Sequence, residues 1–422
     1  MALRSDGVPL GLLGQHYWSR PVEPTALPPD PKRPIKEKES YKWLRGIEAA
    51  EAALESLPES ERPRLIHVMD REGDIHEVLE RITDSPHGAV IRSVQNRSVD
   101  GSINKSIEAV RAAPLLGIHR LDVPAKHGQP RRKARCELRS VTLTITPNLK
   151  KHPDRKPLTW TLVETREVDA PAGVEPLCWL LWTTEPAGSR AQIIGVLNIY
   201  KLRWHIEDFH LTLKSGCRAE ALELETADRL IKALMLYSMI AVRIVALRDL
   251  ARQEPDAPCT TILSTDAWHA LFAKFEKKTP GPDTPVPTVR QAILWIGRLG
   301  GHLNRKRDGM PGVRTLWRGW RDLTILVAGY RLGRTLRRFR FSLASSRYLY
   351  ESTRLSETPT AICATLLSLK CPPPVPRMFP PKNRSPTVAF STKIDATLQQ
   401  HTHHTTGRLY LWAIVSRKPG GG

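Results

Sequence analysis

A chain of 422 residues, 41% of them hydrophobic, has enough apolar content for one large core with accessory parts, or for two to three domains. Its 64 basic and 43 acidic residues leave a net charge of +21, which fits a nucleic-acid partner because neutralised phosphates release counterions. Six cysteines (Cys136, Cys178, Cys217, Cys259, Cys363 and Cys371) show no zinc-type spacing and no signal-peptide pattern opens the chain, so nothing suggests secretion; the expected location is cytoplasmic, associated with the nucleoid.

In chain order, Asp6-Gly7 reads as a turn, and Val8 to Trp18 as the strand that follows it. Pro21 to Pro34 carries six prolines among charges and reads as an extended loop. Trp43, Leu44, Ile47, Ala50 and Leu54 have helical spacing, which predicts a helix over Tyr41 to Leu57. Arg64 to Asp70 is a short apolar run ending on an acid, a buried strand by its pattern; Asp74 to Ile82 reads as a helix and Ala89 to Arg92 as another strand. Between residues 95 and 176, runs such as Val141 to Thr146 and Leu158 to Val163 alternate with period two and predict an antiparallel β-insertion. Cys178 to Thr184 returns to core strand, with Trp182 a core aromatic. Helical patterns then cover Tyr200 to Lys214, Ala227 to Arg252, Asp266 to Lys277 and Val289 to Leu299. The apolar stretch Ile231 to Leu247 is interrupted by Lys232 and Arg243, which favours a buried helix over a membrane span. A basic segment with Arg305, Arg314, Trp317 and Arg321 follows, and beyond residue 342 no consistent period remains, so a disordered tail is expected there.

Tyr200, Arg203, Glu207 and Lys214 stand at offsets 0, 3, 7 and 14. On an α-helix turning about 100° per residue these positions fall within roughly 60° of one another. One face would then present a phenol, a guanidinium, a carboxylate and an ammonium. Such a set suits a divalent cation acting on a phosphate ester: the carboxylate holds the metal, while Arg and Lys hold phosphate oxygens. Asp70, at the end of its strand, could supply a second carboxylate to the same cation.

This spacing resembles the YREK signature of cut-and-paste DDE transposases of the IS-four insertion-sequence family. Asp70-Arg-Glu-Gly-Asp-Ile-His76 is similar to the second-aspartate motif of that family, and Glu207 matches its final acid. The resemblance implies an α/β fold with an RNase H-like core, an antiparallel β-insertion and a C-terminal helical region. It implies catalysis by Asp70 and Glu207 on Mg²⁺ or Mn²⁺, by two-metal phosphoryl transfer at transposon ends. It also implies DNA contacts from Arg92, Trp179, Tyr200, Arg203 and Lys214, with Trp179 stacking on an extruded base. The implied partners are double-stranded DNA, as transposon ends and target, and a second copy of the chain in a synaptic complex.

The family pattern also needs an acid on a first core strand, and no such strand is found here. The RNase H-like core is therefore expected to lack its first strand, leaving neighbouring strand edges unpaired, in a chain truncated at its N-terminus. Asp6 lies in a turn and is a poor substitute. The expected divisions are 1–94 partial core, 95–176 β-insertion, 177–222 end of the core with the signature helix, 223–341 C-terminal helices and 342–422 tail. The leading expectation is a transposase that is defective as it stands; the alternative is a non-catalytic DNA-binding and dimerising fragment that inhibits the full-length enzyme.

Overall fold

The computed structural model describes residues 1–19, 33–124, 130–150, 152–217, 219–305, 307–351, 407–410 and 413–417. The expected loop at 21–34 falls almost entirely outside these residues. Contacts divide the chain into two compact units: residues 1–255, 312–317 and 387–422 form the first, and 256–311 with 318–386 form the second.

The first unit is mixed α/β. Its strands, in chain order, are β1 (Ala2–Arg4), β2 (Pro9–Gly11), β3 (His16–Ser19), β4 (Arg64–Met69), β5 (Gly88–Arg92), β6 (Gly117–Val123), β7 (Arg132–Ile145), β8 (Leu158–Val168), β9 (Cys178–Thr183), β10 (Gly407–Tyr410) and β11 (Ala413–Arg417). Its helices are α1 (Lys42–Glu55), α2 (His76–Thr83), α3 (Ser106–Ala112), α4 (Arg190–Lys201), α5 (Trp204–Leu211) and α6 (Ala227–Gln253). The expected strand over Val8 to Trp18 is in fact two short ones, β2 and β3, and the expected helix at 41–57 is α1.

Six strands in the order β4-β5-β9-β8-β7-β6 form the body of the sheet, and β11, β1 and β2 extend it beyond β4 to nine. β4 and β5 run parallel, while β5-β9-β8-β7-β6 are antiparallel. The period-two runs behave as read: Val141 pairs with Leu162 and Leu143 with Trp160, with Leu162 and Trp160 buried. The β-insertion is not a separate layer. β8 pairs with β9 along six positions, Thr161↔Thr183 to Arg166↔Cys178, so the long hairpin continues the sheet.

Two apolar clusters cover the sheet. One joins Val90, Leu181 and Ile66 to Leu197, Phe209 and Leu234 of the helices that follow β9. The other joins Met69, Ile91, Trp160 and Trp182 to Ile47 of α1 and Leu79 of α2. Trp182 is wholly buried, the core aromatic expected from the sequence.

The strand slot expected to be vacant is filled. β11 lies between β1 and β4, parallel to β1 (Leu3↔Val415) and antiparallel to β4 (Ile66↔Val415). The edges of β1 and β4 are therefore paired, contrary to expectation, by a segment read as structureless tail. The rest of that tail, apart from 342–351 and β10, lies outside the described residues.

The second unit is helical: α7 (Thr265–Glu276), α8 (Val289–Leu299) and the greater part of α9 (Val313–Glu351), which runs past the expected end at 341. An aromatic group holds α7 to α8, with Phe275 stacked on Trp295 and Phe272 edge-on to it, both at 6.2 Å. Asp266 of α7 takes Arg331 and Arg334 of α9 at 2.7 and 2.8 Å.

α6 falls in the first unit. By length and composition α6 could cross a membrane, yet Leu230, Leu234, Ala241, Ile244 and Val245 are buried against the rest of the unit. Its other face carries exposed Met235, Leu236 and Met239, more apolar exposure than the expected buried helix would have.

Candidate functional site

Asp70 closes β4 and caps the short 3₁₀ turn Arg71–Gly73, its Oδ1 accepting from the Glu72 amide at 2.9 Å. The neighbouring acids are taken up structurally. Glu72 meets Lys42 of α1 at 2.5 Å, and the fully buried Asp74 pairs with Arg97 at 2.6 Å while accepting from the Val94 and Gln95 amides. Burial raises the Asp70 carboxyl above its ordinary range; the Glu72 amide opposes this, the Glu72 charge adds to it, and Arg203 and Lys42 pull downward.

The signature segment is not one helix. Leu202, Arg203, His205 and Ile206 each donate to the carbonyl three residues back, a 3₁₀ stretch separating α4 from α5. The segment is therefore built from the end of α4, a 3₁₀ stretch, α5 and a π turn rather than from one continuous α-helix. Tyr200 ends α4 and is buried; Glu207 sits on α5 with its side chain 45% exposed; Lys214 lies in a π turn, Thr212–Gly216.

Two groups result. In the first, Arg203 Nη1 donates to Glu207 Oε1 at 3.1 Å. Burial works against the Arg203 charge, but Tyr200, Glu207 and Asp70 outweigh it and hold the guanidinium above its ordinary pKa. Arg203 thus feels both acids. Lys214 and Glu207 in turn act on His210, whose pKa is pushed down to about 4, chiefly by burial, with Glu207 opposing and Lys214 reinforcing the shift.

In the second group the Arg92 guanidinium stands 5.9 Å from the centre of the Trp179 ring and donates to the Cys178 carbonyl. Trp179 meets Tyr200 edge-on at 5.3 Å. Burial holds Arg92 below its ordinary pKa, and Tyr200 partly offsets this. Trp179 is half-buried and packs on the core, so part of its ring serves the fold. Tyr200, close to both guanidinium groups, joins the two sets.

One neighbour escaped the sequence reading. Trp204 is 55% exposed, with the Arg203 guanidinium 5.2 Å from its ring centre. Its signal in the sequence is the Arg203-Trp204 dipeptide inside the signature, an aromatic among charged positions.

Asp70 and Glu207 have the oxygen chemistry of a hard-cation site. Among the described residues, however, no group of three or more His, Cys, Asp or Glu side chains is placed to hold a metal ion. Glu207 already faces the cation of Arg203, and the strand beside β4, Ala413–Arg417, carries no acid. Among the described residues, Asp70 and Glu207 are thus not joined by a third acid, and by themselves they do not make a two-metal cage.

Residues 239–339 match the family model described as the transposase Tn5 dimerisation domain. The match takes in the second half of α6, all of α7 and α8 and most of α9. This stretch, about a quarter of the chain, is thus similar to a transposase domain that pairs two copies, which supports the association of two copies of this chain.

Proposed function

We propose that this chain is a DNA-binding, dimerising protein of the DDE transposase type, of the IS-four family, with an RNase H-like core and a weakened catalytic face. The dimerisation-domain match, on the C-terminal side of an Arg203–Glu207 pair in the field of Asp70, carries this reading. Arg92, Arg203 and Lys214 would grip phosphates of a transposon end, with Tyr200 and Trp179 setting the guanidinium positions. Asp70 and Glu207 are the residues that would take Mg²⁺ or Mn²⁺. Two carboxylates, one of them bridged to Arg203, would hold such an ion weakly, so binding and pairing are expected to outlast strand cleavage. A copy of this kind, paired with an active transposase, would inhibit it.

The test combines a gel shift, at several salt concentrations, on duplexes from the DNA flanking the gene with light scattering for mass. We expect a dimer whose affinity falls steeply with salt, and a slope reduced by about one unit in each of Arg203→Ala and Lys214→Ala. Cleavage of the same duplexes with Mg²⁺ or Mn²⁺ should be slow or absent. A monomer that ignores DNA at low salt would sink the proposal, and rapid metal-dependent end cleavage would overturn the weakened face.

A further inference from the structure

On α5 two faces do different things. Arg203, just before its first turn, pairs with Glu207 on one side, while His205 and Asp208 meet α6 on the other. The second face is gripped by two buried charged residues of α6. Arg248 Nη2 donates to Asp208 Oδ2 at 2.7 Å, and its Nε donates to Asp249 Oδ1 at 2.9 Å. Asp249 Oδ2 meets His205 Nδ1 at 3.0 Å. Arg248 and Asp249 are 8% and 4% exposed, in a helix whose remaining buried positions are almost all apolar.

Buried charges are costly unless paired, and apolar packing would hold α5 to α6 without them. Apolar packing alone tolerates rotation and sliding of a helix only eight residues long, whereas a forked guanidinium and a directed His–Asp bond do not. Burial pushes the Asp249 carboxyl upward, but the bonds from His205 and Arg248 hold it below its ordinary range, the mark of a carboxylate kept charged inside the unit.

We infer that Arg248 and Asp249 are positioning residues: through Asp208 and His205 they fix the rotation and register of α5, so that Arg203 and Glu207 are presented beside Asp70. The clamp sits on the part of α6 that falls within the dimerisation-domain match, which ties the pairing region to the DNA-gripping face. Its DNA consequence rests on the reading above; its structural consequence does not.

Asp208→Ala removes the α5 end of the clamp and leaves the Arg248–Asp249 pair intact, and His205→Leu removes the other contact. In the full chain both should raise hydrogen exchange across residues 204–216 at least tenfold while leaving α7 and α8 unchanged. Both should weaken binding to the flanking duplex at least tenfold with the dimer retained, and Asp208→Glu should recover most of the loss. Unchanged exchange in both variants overturns the clamp. Raised exchange with unchanged DNA affinity overturns its role in presenting Arg203 and Glu207, and a wild-type chain that binds no DNA instead removes the functional reading while the exchange result still decides the clamp.

Discussion

Within the five residues Asp70 to Asp74, chemically similar acids are assigned different work by their surroundings. Lys42 takes Glu72, Arg97 and two amides take Asp74, and Asp70 alone stands in the field of Arg203. The motif and its Asp70 were read from the sequence; that Glu72 and Asp74 are taken up by ion pairs was not, because Lys42 and Arg97 lie outside the motif, up to 30 positions away along the chain. The same burial governs histidines near these strands. His67 on β4 is held neutral with a pKa of about 3 and His76 on α2 with one of about 4, both chiefly by desolvation. Because each folded pKa lies below the unfolded value near 6.5, their stabilising effect is complete above about pH 6.5 and is lost as pH falls toward the folded values. Each should cost on the order of 2 kcal/mol of stability by about pH 5. Denaturant midpoints measured across this range should fall with acid, and His67→Leu should flatten the profile; a midpoint insensitive to pH would contradict these burial assignments.

At the scale of elements, hydrophobic period carried most of the helices. α8 matches its reading from helical period to the residue, and the structure shows what fixes its ends: Thr288 caps it, accepting from the Gln291 amide, and Gly300 follows its last turn. The signature failed as one helix because hydrophobic period cannot distinguish α from 3₁₀ over a few residues. The short helix α3 was lost inside the β-pattern for a related reason, since seven residues give too few turns to establish a period. The packing of α9 on α8 depends on something no pattern displays. A Cβ added at Gly319 would lie 1.8 Å from the Ile296 carbonyl oxygen, so only glycine permits this approach. Gly319→Ala must push the two helices apart and should cost about 3 kcal/mol or more, an overpacking penalty against rigid backbone. Thermal unfolding and light scattering would show it as a lowered transition of the helical unit and weaker dimerisation. Gly329→Ala, with nothing within 4 Å, is the control that should leave both unchanged.

For the whole molecule, the decisive question is how the sheet is completed beside β4. The sequence read as lacking a strand there, and alternation alone could not reveal that a five-residue segment more than 300 positions away would pair with it. Ala413 to Arg417 is short, β-branched at its centre and without an acid, so it suits the slot by propensity while adding no carboxylate beside Asp70. It makes five register pairs with β4 and three with β1. Removing residues 407–422 would leave two inner edges unpaired, each a template for pairing with other chains. The net loss should reach several kcal/mol, given about 1 kcal/mol for each backbone bond forfeited. Such a chain should unfold at a midpoint lowered by about 5 °C or more and scatter light on standing, while the second unit keeps its helical signal. A peptide of residues 407–422 added in trans should restore the midpoint, and the same peptide with Ile414→Lys and Val415→Pro should not, since proline withdraws a ladder donor. An unchanged midpoint after deletion would mean that β1 and β4 are closed by something other than β11.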